Sequence, residues 1–240
     1  MTNPEEAFDI CAKRRAILEG SGHMLVLGGP GSGKTTIALL KARRSVLERL
    51  QPEQSVLFLS FSNAAIRRIL ESAGRVLTSD VAGQIDIKTY HSFAWDILKS
   101  HGYLLAEKRR LEIVAAQDAA IIQAGMTDDA WSEEETRLFE QEGRATYDQF
   151  APRAAELLER SSVARRCFSA AHPLILVDEF QDTDEDQWRL VQALSEDSDI
   201  IALGDTEQRI YAWRKGVSAT RLNDFAAGLK AETYDFQNEN

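Results

Sequence analysis

The chain has 240 residues, 44% of them hydrophobic and 28% charged, which is ordinary for a globular protein with one large domain or one domain carrying a sizeable insertion. Its longest apolar runs fall far short of the roughly 18 residues of a membrane span, and no segment resembles a signal peptide. Cys11 and Cys167 have neither disulfide nor zinc-site spacing, so a cytoplasmic protein without a membrane partner is expected.

The net charge of −10 is unevenly spread: residues 1–115 hold 16 Lys+Arg against 12 Asp+Glu, and residues 116–240 hold 12 against 26. A basic first half suits a phosphate-contacting face, although charge alone does not argue for nucleic acid.

In chain order, a helix is predicted over residues 4–19 and a strand over 23–27. The run Gly28-Gly29-Pro30-Gly31-Ser32-Gly33-Lys34-Thr35 follows and satisfies the phosphate-loop pattern GxxxxGK[ST]. A helix from Lys34 to about Leu50, with apolar Ile37, Leu40, Val46, Leu47 and Leu50, stops at Pro52. Residues 55–61 form the next strand and lead at Ser62-Asn63 into a helix through Ile66, Ile69 and Leu70. A short strand over 85–88 precedes Thr89-Tyr90-His91-Ser92 and a helix to about Ser100. This alternation predicts a mainly parallel sheet covered on both faces.

From about residue 102 to 171 the pattern becomes helical, over 109–124, 131–141 and 147–167, with no convincing strand between. A helical subdomain inserted into the parent sheet is the simplest account, dividing the chain into 1–101, 102–171 and 172–240. The sheet then resumes with strands over 174–177, 200–203 and 232–236 and a helix over 184–194.

The segment Leu174-Ile-Leu-Val-Asp-Glu-Phe-Gln-Asp-Thr183 reads as a buried parallel strand with Asp178 and Glu179 at its carboxyl end, where ligands bind in open α/β sheets. Paired with the phosphate loop, the two carboxylates divide one task. Backbone N–H groups of Gly29, Pro30's neighbours, Gly31, Ser32 and Gly33 would close around phosphate, with Lys34 as a point charge on the β- and γ-phosphates. Mg²⁺ would take the Thr35 hydroxyl and Asp178, leaving Glu179 to orient and deprotonate a water. Gln208 is suited to sensing a γ-phosphate, and Tyr211 and Trp213 offer faces on which unpaired bases stack, worth roughly 1–3 kcal/mol each.

Together these segments resemble the amino-terminal portion of a superfamily 1 DNA helicase of the UvrD, Rep and PcrA type. The motifs appear in the family's order at Gly28–Thr36, Ser60–Asn63, Thr89–Phe93, Asp178–Thr183 and Gly204–Arg214. The resemblance implies a RecA-like P-loop NTPase domain with a small helical insertion, called 1A and 1B in this family, using ATP and Mg²⁺. It also implies single-stranded DNA, or a single-strand/duplex junction, across the top of the sheet and 3′ to 5′ movement. By position, Lys34, Glu179, Gln208 and Arg214 match catalytic residues, Gly29 to Thr36 the ATP contacts, and Thr35 and Asp178 the metal ligands. Phe61, Asn63, His91, Tyr211 and Trp213 fall where the family touches DNA. Three of them have plainer alternatives: Phe61 as core, His91 as a helix cap or a partner of a buried carbonyl, and Tyr211 as packing.

Two departures affect base selection. Lys13 stands where the family carries an adenine-reading Gln, and Thr36 where an Arg commonly lies against the base. The second RecA-like domain, with its arginines, has no counterpart in the chain, which ends at Gln237-Asn238-Glu239-Asn240, where the resemblance reaches the family's fourth motif. A partial motor that binds nucleotide weakly and hydrolyses it poorly alone is therefore expected, completed by that domain in cis or by a partner chain in trans. A nucleotide-gated DNA-binding module without unwinding activity, acting in a repair or defence assembly, is the alternative.

Overall fold

The computed structural model describes residues 11–107, 110–207 and 217–236. Six strands form one sheet in the order β3-β2-β6-β7-β1-β8, and every neighbouring pair is parallel. The strands are β1 (Met24–Leu27), β2 (Val56–Ser60), β3 (Ile85–Thr89), β6 (Leu174–Val177), β7 (Asp199–Gly204) and β8 (Glu232–Asp235). The expected α/β class with a mainly parallel sheet is the observed one.

The reason lies in side-chain alternation. In β1, Leu25 belongs to one buried cluster while Met24 and Val26 belong to the other, and β2 divides Leu57 and Leu59 from Val56 and Phe58 in the same way. A strand that is apolar on both faces must be covered twice, and a parallel sheet obtains that cover from its crossover helices. One face packs against α1 (Ala12–Glu19), α2 (Lys34–Glu48) and α3 (Asn63–Val76). The other packs against α5 (Tyr90–His101), α8 (Phe150–Arg160), α10 (Glu185–Ser195) and α11 (Arg221–Gly228). A single turn of helix, α4 (Ser79–Ala82), precedes β3.

Residues 102–171 differ from the helical reading in two respects. Glu112–Ile113 (β4) and Arg144–Ala145 (β5) pair as a two-stranded parallel sheet. Two-residue strands are too short to show alternation, and their pairing across more than thirty positions is a tertiary event. The helix predicted over 147–167 is two helices, α8 and α9 (Ser162–Ala171), separated by Ser161 in an extended conformation, whose hydroxyl accepts from the Ala164 N–H at 3.2 Å. Between β4 and β5 lie α6 (Ala116–Gln123) and α7 (Asp128–Arg137), neither of which buries a residue. Phe139, Ala145, Phe150, Leu157 and Leu158 join the cluster that covers β2, β6 and β7. The Trp95 and Phe150 rings stack at 5.1 Å between α5 and α8. Of the predicted opening helix, residues 12–19 are helical and residues 1–10 lie outside the described chain. Cys11 is partly buried and Cys167 exposed.

Arg221, 2% exposed at the start of α11, ties that helix to the end of the Asp178–Thr183 segment. Its Nε donates to the Thr183 carbonyl at 3.1 Å, its Nη2 to Glu185 at 2.9 Å, and its guanidinium lies 5.8 Å from the Trp188 ring centre. Glu185 is largely exposed, so most of the stabilisation comes from the buried carbonyl bond and the packing. Arg221→Met keeps the apolar stem but orphans the Thr183 oxygen, and is expected to cost about 2 kcal/mol in chemical denaturation. A loss under about 0.5 kcal/mol would show that water satisfies that carbonyl instead.

Candidate nucleotide and strand-binding site

The parallel arrangement delivers the ends of β1, β2, β3, β6 and β7 to one edge of the sheet. Register aligns them: Leu27 lies beside Gly204, Val177 beside Ala202, Leu59 beside Val177, and Ser60 beside Thr89. Backbone bonds continue past the strands, from Gly28 N–H to Gly204 O at 3.1 Å and from Asp178 N–H to Leu59 O at 3.0 Å.

The glycine-rich loop after β1 wraps tightly because Gly31 and Gly33 take φ of 76° and 86°, values that side-chain-bearing residues rarely adopt. Gly33 caps α2, so the helix begins at Lys34 with its amino end facing the loop. The Lys34 ammonium donates to the carbonyls of Gly28 and of Gly29, the latter at 3.1 Å. Beneath the loop is a cavity of about 370 Å³ lined by residues 29–36, Arg68, Asp178, Glu179 and Asp205. Every ATP-contacting residue expected within the loop, together with both carboxylates, therefore faces one space.

Burial, and then the charge of Glu179, push the Asp178 carboxyl up to about 6; Lys34 and Arg68 oppose this more weakly. A buried carboxylate with that excess of negative field fits a hard divalent cation, which would offset it. Among the described residues no cluster of three or more His, Cys, Asp or Glu side chains forms a metal cage. Thr35 and Asp178 both line this cavity and carry oxygen donors of the kind a hard cation takes.

Glu179 adopts a left-handed backbone, φ 50° and ψ 42°, at a cost of roughly 1–2 kcal/mol for a residue with a Cβ. The single turn Phe180–Asp182 that follows is buried, with the Phe180 ring edge-on to Trp188 at 5.7 Å and to Phe225 at 4.9 Å. This anchored turn holds Glu179 at the mouth of the cavity. The Gln181 Nε2 donates to its carboxylate at 2.8 Å.

Along the same edge, Phe61 and Tyr90 follow the paired ends of β2 and β3, with ring centres 5.3 Å apart. Phe61 is half-buried against the core, Asn63 is exposed at the start of α3, and His91 is half-buried in the first turn of α5. The cap of α5 is Thr89, whose hydroxyl accepts from the Ser92 N–H at 3.1 Å, so that role does not fall to His91. Gln208, Tyr211, Trp213 and Arg214 lie outside the described residues.

Sequence reading did not single out Arg68, Asp205, Gln181 or Arg14. Arg68 reaches the cavity from the second turn of α3, and only the direction of that helix distinguishes it from its neighbour Arg67. Arg14 donates to the Ser32 carbonyl at 3.1 Å and lies 5.1 Å from the Phe236 ring centre. Lys13 donates to the Asp235 carbonyl at 2.9 Å, at the end of β8 beside Leu27.

A family model described as an AAA domain matches residues 13–214. The chain belongs to that AAA domain family. Within it, the chain is similar to the amino-terminal part of UvrD/Rep/PcrA-type DNA helicases. It is 24% identical to the ATP-dependent DNA helicase Rep of Buchnera aphidicola subsp. Baizongia pistaciae, over 84% of this chain and 36% of that one. It is 22% identical to the ATP-dependent DNA helicase PcrA of Leuconostoc citreum, over 88% and 34%. The chain thus spans about a third of the length of these two relatives. Among solved structures, the UvsW helicase from bacteriophage T4 aligns with a TM-score of 0.42 and 14% identity, over 95% of this chain and 60% of that one. Among the described residues no helix is long and apolar enough to cross a membrane.

Proposed function

We propose that this chain is the ATP-binding and strand-binding part of a superfamily 1 DNA helicase or translocase, with residues 1–101 and 172–240 as domain 1A and residues 102–171 as domain 1B. The observation that carries the reading is Lys34, Asp178 and Glu179 around one cavity, on the same sheet edge as Phe61 and His91. In this reading the loop N–H groups and the amino end of α2 receive the phosphates, and Lys34 exchanges its carbonyl partners for phosphate oxygens. Mg²⁺, held by Thr35 and Asp178, would neutralise charge on the β- and γ-phosphates. Glu179 accepts a proton from the attacking water at its carboxylate. The segment beyond Asp205 supplies the γ-phosphate contacts Gln208 and Arg214 and the stacking faces Tyr211 and Trp213. A second motor domain, in cis or from a partner, closes the cleft and adds arginines, a contribution worth about 10³–10⁵ in rate in related hydrolases. Movement is 3′ to 5′ and the compartment is the cytoplasm.

The test is Mg²⁺-dependent ATP hydrolysis by this chain, with and without single-stranded DNA. Measurable nucleotide binding with little turnover is the expected result, and failure to bind Mg²⁺-ATP at all would remove the reading.

Base selection gives a separate prediction. A lysine at position 13 lacks the paired donor and acceptor with which an amide reads the adenine edge. Competition should therefore show ATP and GTP binding within about tenfold of each other, and Lys13→Gln should widen the gap in favour of ATP. A strict preference for ATP in the unaltered chain would sink this idea.

A further inference from the structure

Gln181 has no assigned part in the reading above, yet its side chain is 3% exposed and makes a bond from each end of its amide. Its Nε2 donates to the Glu179 carboxylate at 2.8 Å, and its Oε1 accepts the Asp205 N–H at 3.0 Å. Only a primary amide of this length serves both. Asparagine is one methylene short, glutamate has no donor, and lysine has no acceptor.

What lies at each end gives the bridge its meaning. One end is the candidate base, whose left-handed backbone needs outside support. The other is the junction Gly204–Asp205, where β7 stops and the chain departs toward residues 208–216. Asp205 is 2% exposed, and its Oδ1 accepts the Glu207 N–H at 2.9 Å. The Gly204 carbonyl accepts the Gly28 N–H at the entry to the phosphate loop. A Cβ at position 204 would lie 2.6 Å from the Leu222 Cδ2 and would push that side chain aside, while its 3.5 Å from the Gln181 Oε1 is ordinary contact.

We propose that Gln181 is a positioning residue that couples the orientation of the Glu179 carboxylate to the backbone at Asp205. A strand or nucleotide contact that shifts the segment after Asp205 is thereby felt at the base. The proposal rests on the reading of Glu179 as the base, and its physical content is two hydrogen bonds that can be broken separately. Gln181→Glu keeps an oxygen for the Asp205 N–H but turns a donor into a like charge beside Glu179. Gln181→Met keeps the length and loses both bonds.

The test combines amide hydrogen exchange over residues 199–207, binding of a fluorescent ATP analogue with Mg²⁺, and ATP turnover with and without an oligo-dT strand. Gln181→Met is expected to speed Asp205 exchange at least tenfold, to lower turnover about tenfold, and to lose any oligo-dT stimulation. Gln181→Glu should retain near-wild-type exchange at Asp205 and lose turnover, with analogue affinity within about threefold of wild type. Loss of thermal stability and of all three signals in parallel would indicate a merely structural role and overturn the proposal. So would wild-type exchange at Asp205 in Gln181→Met. Should the unaltered chain bind Mg²⁺-ATP without turnover, the exchange arm decides alone: an analogue-induced change at residues 205–207 that survives in Gln181→Glu and vanishes in Gln181→Met supports the bridge, and one unaffected by either variant refutes it. Absence of nucleotide binding by the unaltered chain would count against the functional reading itself, while exchange at Asp205 still reports on the bridge.

Discussion

Lys34→Ala is expected to weaken Mg²⁺-ATP binding by about 10–100-fold and to remove whatever turnover the chain supports, with little change in thermal stability. The magnitude follows from one charge-assisted contact to phosphate, roughly 1.5–3 kcal/mol. Among the described residues the ammonium bonds to the carbonyls of Gly28 and Gly29, and the Gly29 carbonyl borders an open cavity from which water can replace the truncated side chain. Folding therefore has a smaller stake in Lys34 than phosphate binding has. Titration of a fluorescent ATP analogue against both proteins measures the effect. Affinity within threefold of wild type would mean that the loop N–H groups and the end of α2 hold the phosphates without the lysine. Turnover in the unaltered chain that DNA stimulates and Lys34→Ala abolishes would show that the cleft is completed between copies in trans.

Asp178→Asn should separate stability from function in opposite directions. A carboxyl held at about 6 in the folded chain has an ordinary value near 3.8. Between those pH values the native state binds more protons than the unfolded one, so this group's contribution to stability falls as pH rises and stays low above about pH 6. Its charge at neutral pH is thus a cost, of up to about 3 kcal/mol, arising mainly from burial and then from Glu179. The neutral isostere should raise the melting temperature of the ligand-free chain by roughly 5 °C at pH 7.5 and change it little at pH 4. The same substitution should remove Mg²⁺-dependent enhancement of nucleotide binding. In the unaltered chain that enhancement should decline about tenfold for each pH unit below 6, because the metal needs the ionised form. A destabilised Asp178→Asn chain at pH 7.5 would show that the carboxylate is well solvated or already paired, and would remove this account.

The motifs were legible because each is a local event with a strict steric or chemical requirement. The positive φ at Gly31 and Gly33 can be read from the glycines themselves, and the apolar run from Leu174 to Val177 announces a strand buried on both faces before any partner is known. Residues 109–171 were less legible. The break at Ser161 and the pairing of Glu112–Ile113 with Arg144–Ala145 are set by what the chain packs against, so periodicity reported unbroken helices over 109–124 and 147–167 and no strand between the helices. Arg68 and Gln181 were hidden for the same reason: a surface-type arginine and an amide inside a motif carry no signal until neighbouring strands place them against the cavity.

The sequence by itself determined the α/β class, the phosphate loop and the carboxylate pair, since backbone sterics and the burial of alternating apolar side chains act over a few residues. Only the tertiary structure decided that β6 and β7 lie between β2 and β1, setting Asp178 and Glu179 opposite Lys34 and bringing Gln181 against Asp205. Strand order is chosen by which crossovers best cover both apolar faces of the sheet, a sum over the whole chain that no short segment contains.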